Sequence, residues 1–480
     1  MIRLRARATW LSRGAALAVL ALFARSGTAR GQTSSPVRPL AYTRFVLPNG
    51  LVAILNEDHA SPLVAVEVWY HVGSKDDSPG RSGAAHLCEH VMSQGSPHLA
   101  QPQPVFYRSI GGRSAHWAET WEDVTKYYVV IPGNQLETVL WAESDRMAAP
   151  LTLADSQHLD GIRRVVAQEH QQNVVNAPFR FSHELTAYAL FPNGHPYHLN
   201  SMTSVADLSG TTPAELQSLC APYYVPNNAV IALSGDFDAA TARRWIEHYF
   251  GDIPRGKPMR RSAGPRVPPT PERRLVLEDA LATQPQLHID WIGASYANPD
   301  RMALLALAAA LSQNRFSRLS KLLVNDRQLA SVVYTDNYDL ETSGVFEIAV
   351  FPRPGASMTL IEALIDSTLA SLATAPVTRE EIARFNAANA VSAATSLQTR
   401  IARADTLAHD EMFAGNPTAY STQAARARRL TSGDVARVAR KYLTSSRVVM
   451  SLVPAGKLDL VSRPDLPYVN VTPQRDRPRP

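Results

Sequence analysis

His86-Leu87-Cys88-Glu89-His90 is the stretch on which the reading of this 480-residue chain turns. On a helix, residues four apart lie on one face a turn apart, so the two imidazoles can share one ion. Glu89, one residue before the second histidine, projects toward the same side and can reach a water beside that ion. The order H-x-x-E-H is the inverse of the commoner H-E-x-x-H metal helix.

Two histidines do not finish a catalytic zinc site, which ordinarily takes three protein ligands and keeps one position open. The third must come from another element. Residues 155–171 read as a helix, and within it Val165-Val166-Ala167-Gln168-Glu169-His170 ends an apolar face in a carboxylate, 79 residues after His90. His170 reads as a neighbour of that carboxylate. His59, His71, His98 and His116 have no ligand spacing.

Outward from these two helices the chain alternates hairpins and helices. Residues 44–55 give strand, Pro48-Asn49-Gly50 turn and strand, a strong hairpin signal. Further strands are expected at 63–72, 126–131 and 229–233, with helices at 83–92, 136–147, 155–171, 181–190 and 213–221. Residues 255–274, RGKPMRRSAGPRVPPTPERR, then break the pattern with Pro, Gly and Arg. Strands and helices resume beyond it. The two halves end alike: residues 213–236 and 432–456 each give a helix, a tyrosine-bearing turn and an apolar strand closing at glycine. The expected fold is α+β, with two similar domains, each a mostly antiparallel sheet packed with helices, facing across a cleft. The domains are placed at residues 41–254 and 274–460, joined by a linker at 255–273, with a loose Pro-rich tail at 463–480.

Bulk properties exclude more than they identify. Hydrophobic residues make up 45% and charged residues 19%, as in an ordinary globular protein. The excess of 48 Lys+Arg over 43 Asp+Glu sits at the ends and in the linker, so no nucleic-acid partner is expected. Residues 1–31 combine Arg3, Arg5, Arg7 and Arg13 with an apolar run at 15–24 and small residues at 26–31, the pattern of a secretory signal peptide. That run is too short to span a bilayer comfortably, so a secreted or periplasmic chain without stable membrane insertion is expected. The two cysteines, Cys88 and Cys220, are expected to be free and buried, since Cys88 lies inside the histidine motif.

Several further motifs accompany the first. They are Leu47-Pro48-Asn49-Gly50-Leu51, Gly83, Gly111-Gly112, the run Ala118-x-Thr120-x-x-Asp123-x-Thr125-x-Tyr127, His195-Pro196-Tyr197, and Tyr224-x-Pro226-Asn227-Asn228. With H-x-x-E-H and the V-V-x-x-E helix, they make residues 43–456 resemble the pitrilysin (insulinase) family of zinc metallopeptidases. The resemblance implies one Zn2+ per chain, held by His86, His90 and Glu169, with Glu89 as general base. It also implies an endopeptidase acting on peptides or unfolded polypeptides, with substrate joining an edge strand.

The departures shape the rest. Trp117 stands where the family commonly has Asn, and Ile162 where it often has a second Glu. Active single-chain relatives carry an Arg and a Tyr seven apart in the second half, but Val324 and Ser331 occupy the aligned positions. Arg327 and Tyr334 have that spacing three residues out of register. No second H-x-x-E-H occurs, and residues 301–311 are Leu/Ala-rich instead. The resemblance therefore implies a zinc-bearing member of a pair, similar to the beta subunit type of the mitochondrial processing peptidase, with a homologous partner subunit supplying the Arg/Tyr pair. The alternatives are a self-sufficient homodimeric protease using Arg327 and Tyr334, and a non-catalytic structural or chaperone-like homologue.

Overall fold

The computed structural model describes residues 38–113, 117–151, 156–198, 208–259, 261 and 264–471. The expected signal peptide lies outside the described residues. The first hairpin forms as the sequence suggests. Strands β1 (Thr43–Val46) and β2 (Val52–Glu57) pair antiparallel. Gly50 turns the chain between them at φ +95°, where a side chain would also strike Asn227.

Four more strands complete the first sheet: β3 (Leu63–Tyr70), β4 (Ala118–Thr120), β5 (Thr125–Pro132) and β6 (Ala229–Gly235), in the order β1-β2-β6-β3-β5-β4. The second sheet contains β7 (Arg273–Asp279), β8 (Gln286–Ile292), β9 (Ala330–Asp339), β10 (Gly344–Pro352), β11 (Val448–Pro454) and β12 (Val469–Val471). Its order is β12-β7-β11-β8-β10-β9. The two orders correspond over five strands and differ at one edge, where β1 pairs antiparallel with β2 but β12 pairs parallel with β7. In each, the last long strand pairs parallel with one early strand and antiparallel with the next: β6 with β2 and β3, β11 with β7 and β8. The duplicated sequence endings are these two central strands.

The correspondence extends to the helix that follows β3 in the first half and β8, the strand in the same sheet position, in the second. In the first half this is Ala84–Met92, which carries the histidine motif; in the second it is Arg301–Ser312, whose buried face is Leu and Ala.

Both faces are buried at the centre of each sheet, which is why β6 and β11 read as mostly apolar runs, interrupted by Ser234 and Ser451, rather than alternating ones. One face of each sheet packs on helices of its own half. The other is covered by a helix from the opposite half. Helix Arg400–Ala414 lays Ala404, Leu407 and Ala408 on Ile54, Ala65, Trp69 and Ala232 of the first sheet. Helix Ser182–Leu190 and the residues after it lay Leu185, Ala189, Phe191 and Tyr197 on Leu275, Leu277, Met450 and Leu452 of the second. Neither sheet can keep its second face dry without the other half.

A polar lock adds to this exchange. Asp123 accepts hydrogen bonds from the Tyr197 hydroxyl (2.7 Å), the Lys75 ammonium (2.8 Å) and the backbone N–H of Glu341 (2.8 Å). The Glu341 carboxylate in turn lies 2.5 Å from Lys75 Nζ and 2.9 Å from His71 Nε2. Asp123 and Tyr197, two of the motif residues, thus hold the β9–β10 hairpin against the first half.

Part of the expected tail is paired, while residues 472–480 lie outside the described residues. Val469-Asn470-Val471 pairs parallel with β7 instead of hanging loose. Two β-branched residues in a period-two pattern satisfy an edge that β7 would otherwise present bare.

Glu341 makes the lock sensitive to acid. Burial alone would raise its pKa, but His71 and Lys75 outweigh burial and hold it at about 2, below the ordinary 4.5. A depressed carboxylate contributes stability that is complete above its unfolded pKa and lost as pH falls toward its folded one. Glu341→Gln should therefore lower Tm at pH 7, and the gap from wild type should close between about pH 4.5 and pH 2 in a calorimetric series. A gap independent of pH would contradict this role.

Candidate metal centre

The helix Ala84–Met92 begins at Gly83, whose φ of +85° aims the first turn into the interior. Asp77 caps it: its carboxylate accepts from the N–H groups of Gly83 (2.7 Å) and Ala85 (2.9 Å), two of the donors a helix start leaves unpaired. Leu87, Cys88, Val91 and Met92 face the first core, which turns His86, Glu89 and His90 toward a second helix, Ser156–His170.

That second helix explains the position of Glu169. Leu159, Ile162 and Val166 are buried at spacings of three and four, and Glu169 continues the same stripe one step on. The apolar face docks the helix, and its last member delivers a carboxylate. A π-helical turn, Gln171–Val175, follows at once. Such turns recur at functional sites, where they re-aim a helix end. Ile162, which replaces a second glutamate, belongs to this apolar stripe.

His86 Nε2 and His90 Nε2 lie 3.1 Å apart, and Glu169 Oε2 lies 3.2 Å from the His90 nitrogen and 3.6 Å from that of His86. A tetrahedral ion with bonds of about 2.0–2.1 Å needs donors about 3.3 Å apart. Among the described residues, this is the group of His, Cys, Asp or Glu in which three donor atoms come within 4.8 Å of one another. The donor set fits zinc in number, type and spacing.

Electrostatics set the protonation states. Burial first, then the neighbouring His90 charge, pushes the His86 pKa down to about 4, so its imidazole is neutral and able to ligate at pH 7. Burial opposes charge on His90 too, but the Glu169 carboxylate outweighs it and the pKa is raised; Glu169 is lowered by the same pairing against its own burial. Glu89 is buried, and burial pushes its pKa up to about 7 against the lowering effects of His90 and Thr120. The Thr120 hydroxyl, on β4, donates to Glu89 Oε2 at 2.7 Å, and the Tyr127 hydroxyl reaches the Glu89 carbonyl at 3.4 Å. Thr120 was visible in the sequence as a motif residue, but nothing in its spacing from Glu89 announced this bond.

All four expected site residues therefore meet. His59 pairs with Asp236 and Glu57, His71 with Glu341, and His98 with Asp145, while His116 lies outside the described residues. Arg327 sits exposed at the end of the helical segment Ser320–Asp326. Tyr334 is on β9, its hydroxyl donating to Asp336 at 3.0 Å. Trp117 packs against the Arg108 guanidinium and the Tyr107 ring.

The cysteines correct an expectation. Cys88 and Cys220 are not free thiols but a disulfide, their Cα atoms 6.2 Å apart and 132 residues apart in sequence. Cys88 projects from the core side of the motif helix, opposite the donors, and so meets helix Pro213–Cys220 without entering the site. The sequence placed Cys88 in the motif but could not show which face of the helix it occupied.

Comparison with known proteins agrees with this geometry. Residues 52–191, which contain every donor, match the family described as Insulinase (Peptidase family M16), and residues 211–388 match Peptidase M16 inactive domain. The chain belongs to the M16 insulinase family. Within it, the zinc protease PqqE of Helicobacter pylori is 26% identical over 352 residues, 70% of this chain and 76% of that protein. A crystal structure of a protease from Helicobacter pylori superposes with a TM-score of 0.77 at 21% identity, covering 87% of this chain and all of that one. The first half of the periplasmic protease PqqL of Escherichia coli gives a TM-score of 0.70 at 16% identity, covering 87% and 93%. At these identities the structures establish the shared M16 fold. The second match, to an inactive domain, falls on the half whose Arg301–Ser312 helix carries no histidine motif.

The disulfide anchors the motif helix, so thiol labelling checks the arrangement. The native protein should take up no alkylating reagent at Cys88 or Cys220 until reductant is added, and reduction, by freeing the unfolded chain, should cost about 2–4 kcal/mol of stability, seen as a lower Tm. Two thiols reactive before reduction would contradict it.

Proposed function

We propose that this chain is an exported zinc-dependent endopeptidase in which His86, His90 and Glu169 hold one Zn2+ and Glu89 is the general base. Its halves, residues 41–254 and 274–460, serve as two domains of one peptide-handling unit. The observation that carries the reading is the meeting of three ligand-type donors at tetrahedral spacing beside a buried carboxylate with a pKa near 7. Zinc, when bound there, supplies a Lewis acid that polarises a peptide carbonyl and acidifies water.

The chain's own groups do the rest. Thr120 fixes Glu89 Oε2, which leaves Oε1 to take a proton from the attacking water and return it to the departing amine. Neutral His86 and partnered His90 present nitrogen lone pairs inward. Substrate is oriented by β4, the edge strand of the first sheet. Trp117 accepts from Tyr128 and Trp121 donates to Val124 across the ladder, so by alternation Ala118 and Thr120 turn their N–H and C=O groups to the open edge. An extended peptide paired there lies beside Glu89.

Export accords with the leader-like residues 1–31 and with a disulfide, which persists in oxidising compartments. The periplasmic description of PqqL points the same way. Among the described residues no helix is long and apolar enough to cross a membrane. Val324 is packed against the second core and Ser331 bonds the Phe351 carbonyl, so neither offers the Arg/Tyr chemistry of active single-chain relatives. A homologous partner subunit supplying that pair is therefore part of the proposal.

Two outcomes test it. Glu89→Gln should retain one zinc per chain by metal analysis while hydrolysis of an unstructured peptide falls by at least about a hundredfold; Glu169→Ala should lose the metal. Full turnover in Glu89→Gln would reject the mechanism. Assayed alone, the chain should be weakly active and gain from a co-expressed homologue; robust activity without one would instead favour a self-sufficient homodimer using Arg327 and Tyr334.

A further inference from the structure

An ion pair that the mechanism above does not use lies inside the first core, on the side of the motif helix away from solvent. Glu143 and Arg146 sit one turn apart on the helix Leu136–Ala148, 3% and 2% exposed. The Tyr107 hydroxyl donates to Glu143 Oε1 at 2.5 Å, and Arg146 donates to the other carboxylate oxygen. Arg146 Nε is buried with no hydrogen-bond partner. Their helix neighbours Val139, Leu140, Ala142 and Met147 belong to the apolar core. A pair withdrawn this far from water is commonly no more stable than apolar residues of the same volume, so stability alone does not account for it.

What the arginine touches gives it a use. Its guanidinium carbon lies 3.7 Å from the centre of the Tyr127 ring. The hydroxyl of that ring donates to the Glu89 carbonyl at 3.4 Å. A cation on the face of a phenol draws density from the ring and makes its O–H a stronger donor. Burial, with Tyr224 adding to it, holds the Tyr127 pKa well above the ordinary range, and Arg146 acts against both.

The sheet turns this contact into half of a clamp. Ala118 pairs with Tyr127 and Thr120 with Thr125 across the β4–β5 ladder, so Thr120 and Tyr127 stand on one face, toward the motif helix. Thr120 bonds Oε2 of Glu89 and Tyr127 bonds its carbonyl, so a single residue is held at both ends. The same carbonyl accepts the N–H of Ser93 at 3.1 Å and its hydroxyl at 3.0 Å, which ties the hold on Glu89 to the last turn of the helix. Tyr107, Glu143, Arg146 and Tyr127 thus form one chain of polar contacts that ends on the main chain of Glu89.

We propose that Arg146 is a positioning residue: fixed by Glu143 over the Tyr127 ring, it holds the main chain of Glu89 so that the Thr120-bound carboxylate stays in place beside His86 and His90. The proposal takes from the peptidase reading only that Glu89 is the base. The double substitution Glu143→Gln/Arg146→Met removes both charges together and leaves an acceptor for Tyr107. In metal-free protein, amide hydrogen exchange across residues 84–93, read by mass spectrometry, should quicken about tenfold while Tm and exchange in the other core helices hold. With zinc restored, kcat for an unstructured peptide should fall about tenfold at unchanged KM, because alignment and not binding is lost. Tyr127→Phe, which keeps the ring and removes the hydroxyl, should do the same, and the three substitutions together should do no more than either variant alone. If the double variant does not fold, Arg146→Lys, which keeps the charge but cannot lie flat on the ring, carries the test alongside Tyr127→Phe. Wild-type exchange at residues 84–93, a loosening shared by the whole first half with a matching fall in Tm, or effects that add would overturn the positioning role. Quickened exchange in a protein whose wild type cleaves no peptide would count against the peptidase reading alone.

Discussion

Three lone-pair donors held within 3.6 Å of one another repel unless a cation or protons stand between them, and the fold is built to hold them there. No donor can relax away cheaply. His86 and His90 ride one helix pinned by the Asp77 cap at its start and by Cys88–Cys220 at its middle. Glu169 rides another, docked by Leu159, Ile162 and Val166. Apolar packing thus brings these ligand-type atoms together, the pre-formed cluster that the proposed divalent ion would need.

The same logic appears one level up. The centre of each sheet is buried on both faces only because a helix of the other half crosses to it, so the halves fold around each other rather than side by side. Asp123 ties the hairpin of the second sheet to the end of β4, and β4 presents Thr120 to Glu89. The residue that bonds Glu89 and a residue that locks the halves therefore lie within a few positions of one another. The duplicated topology also explains an asymmetry of chemistry. The helix equivalent to the motif helix, Arg301–Ser312, spends its buried face on Leu and Ala and contributes packing alone.

Much of this was legible in the residues. Spacing of four for the imidazoles and a stripe ending in Glu169 marked out residues that the fold does bring together, because helix periodicity is a local rule that tertiary context did not override here. The Asn49-Gly50 turn and the repeated strand-glycine endings gave the two-sheet plan. What stayed hidden depends on contacts between distant elements. The partner of Cys88 lies 132 residues away, the Thr120 bond to Glu89 crosses from a strand to a helix, and Val469–Val471 pairs only because β7 leaves an edge. The exchange of helices between halves has no period or motif at all; each crossing helix looks like any other amphipathic segment until the sheet it covers is known.

Diffraction from zinc-soaked crystals, recorded on both sides of the zinc absorption edge, tests the central claim most directly. One anomalous peak should appear at about 2.0–2.2 Å from His86 Nε2, His90 Nε2 and a Glu169 oxygen. A peak bound by other residues, or none at this cluster under saturating zinc, would contradict it.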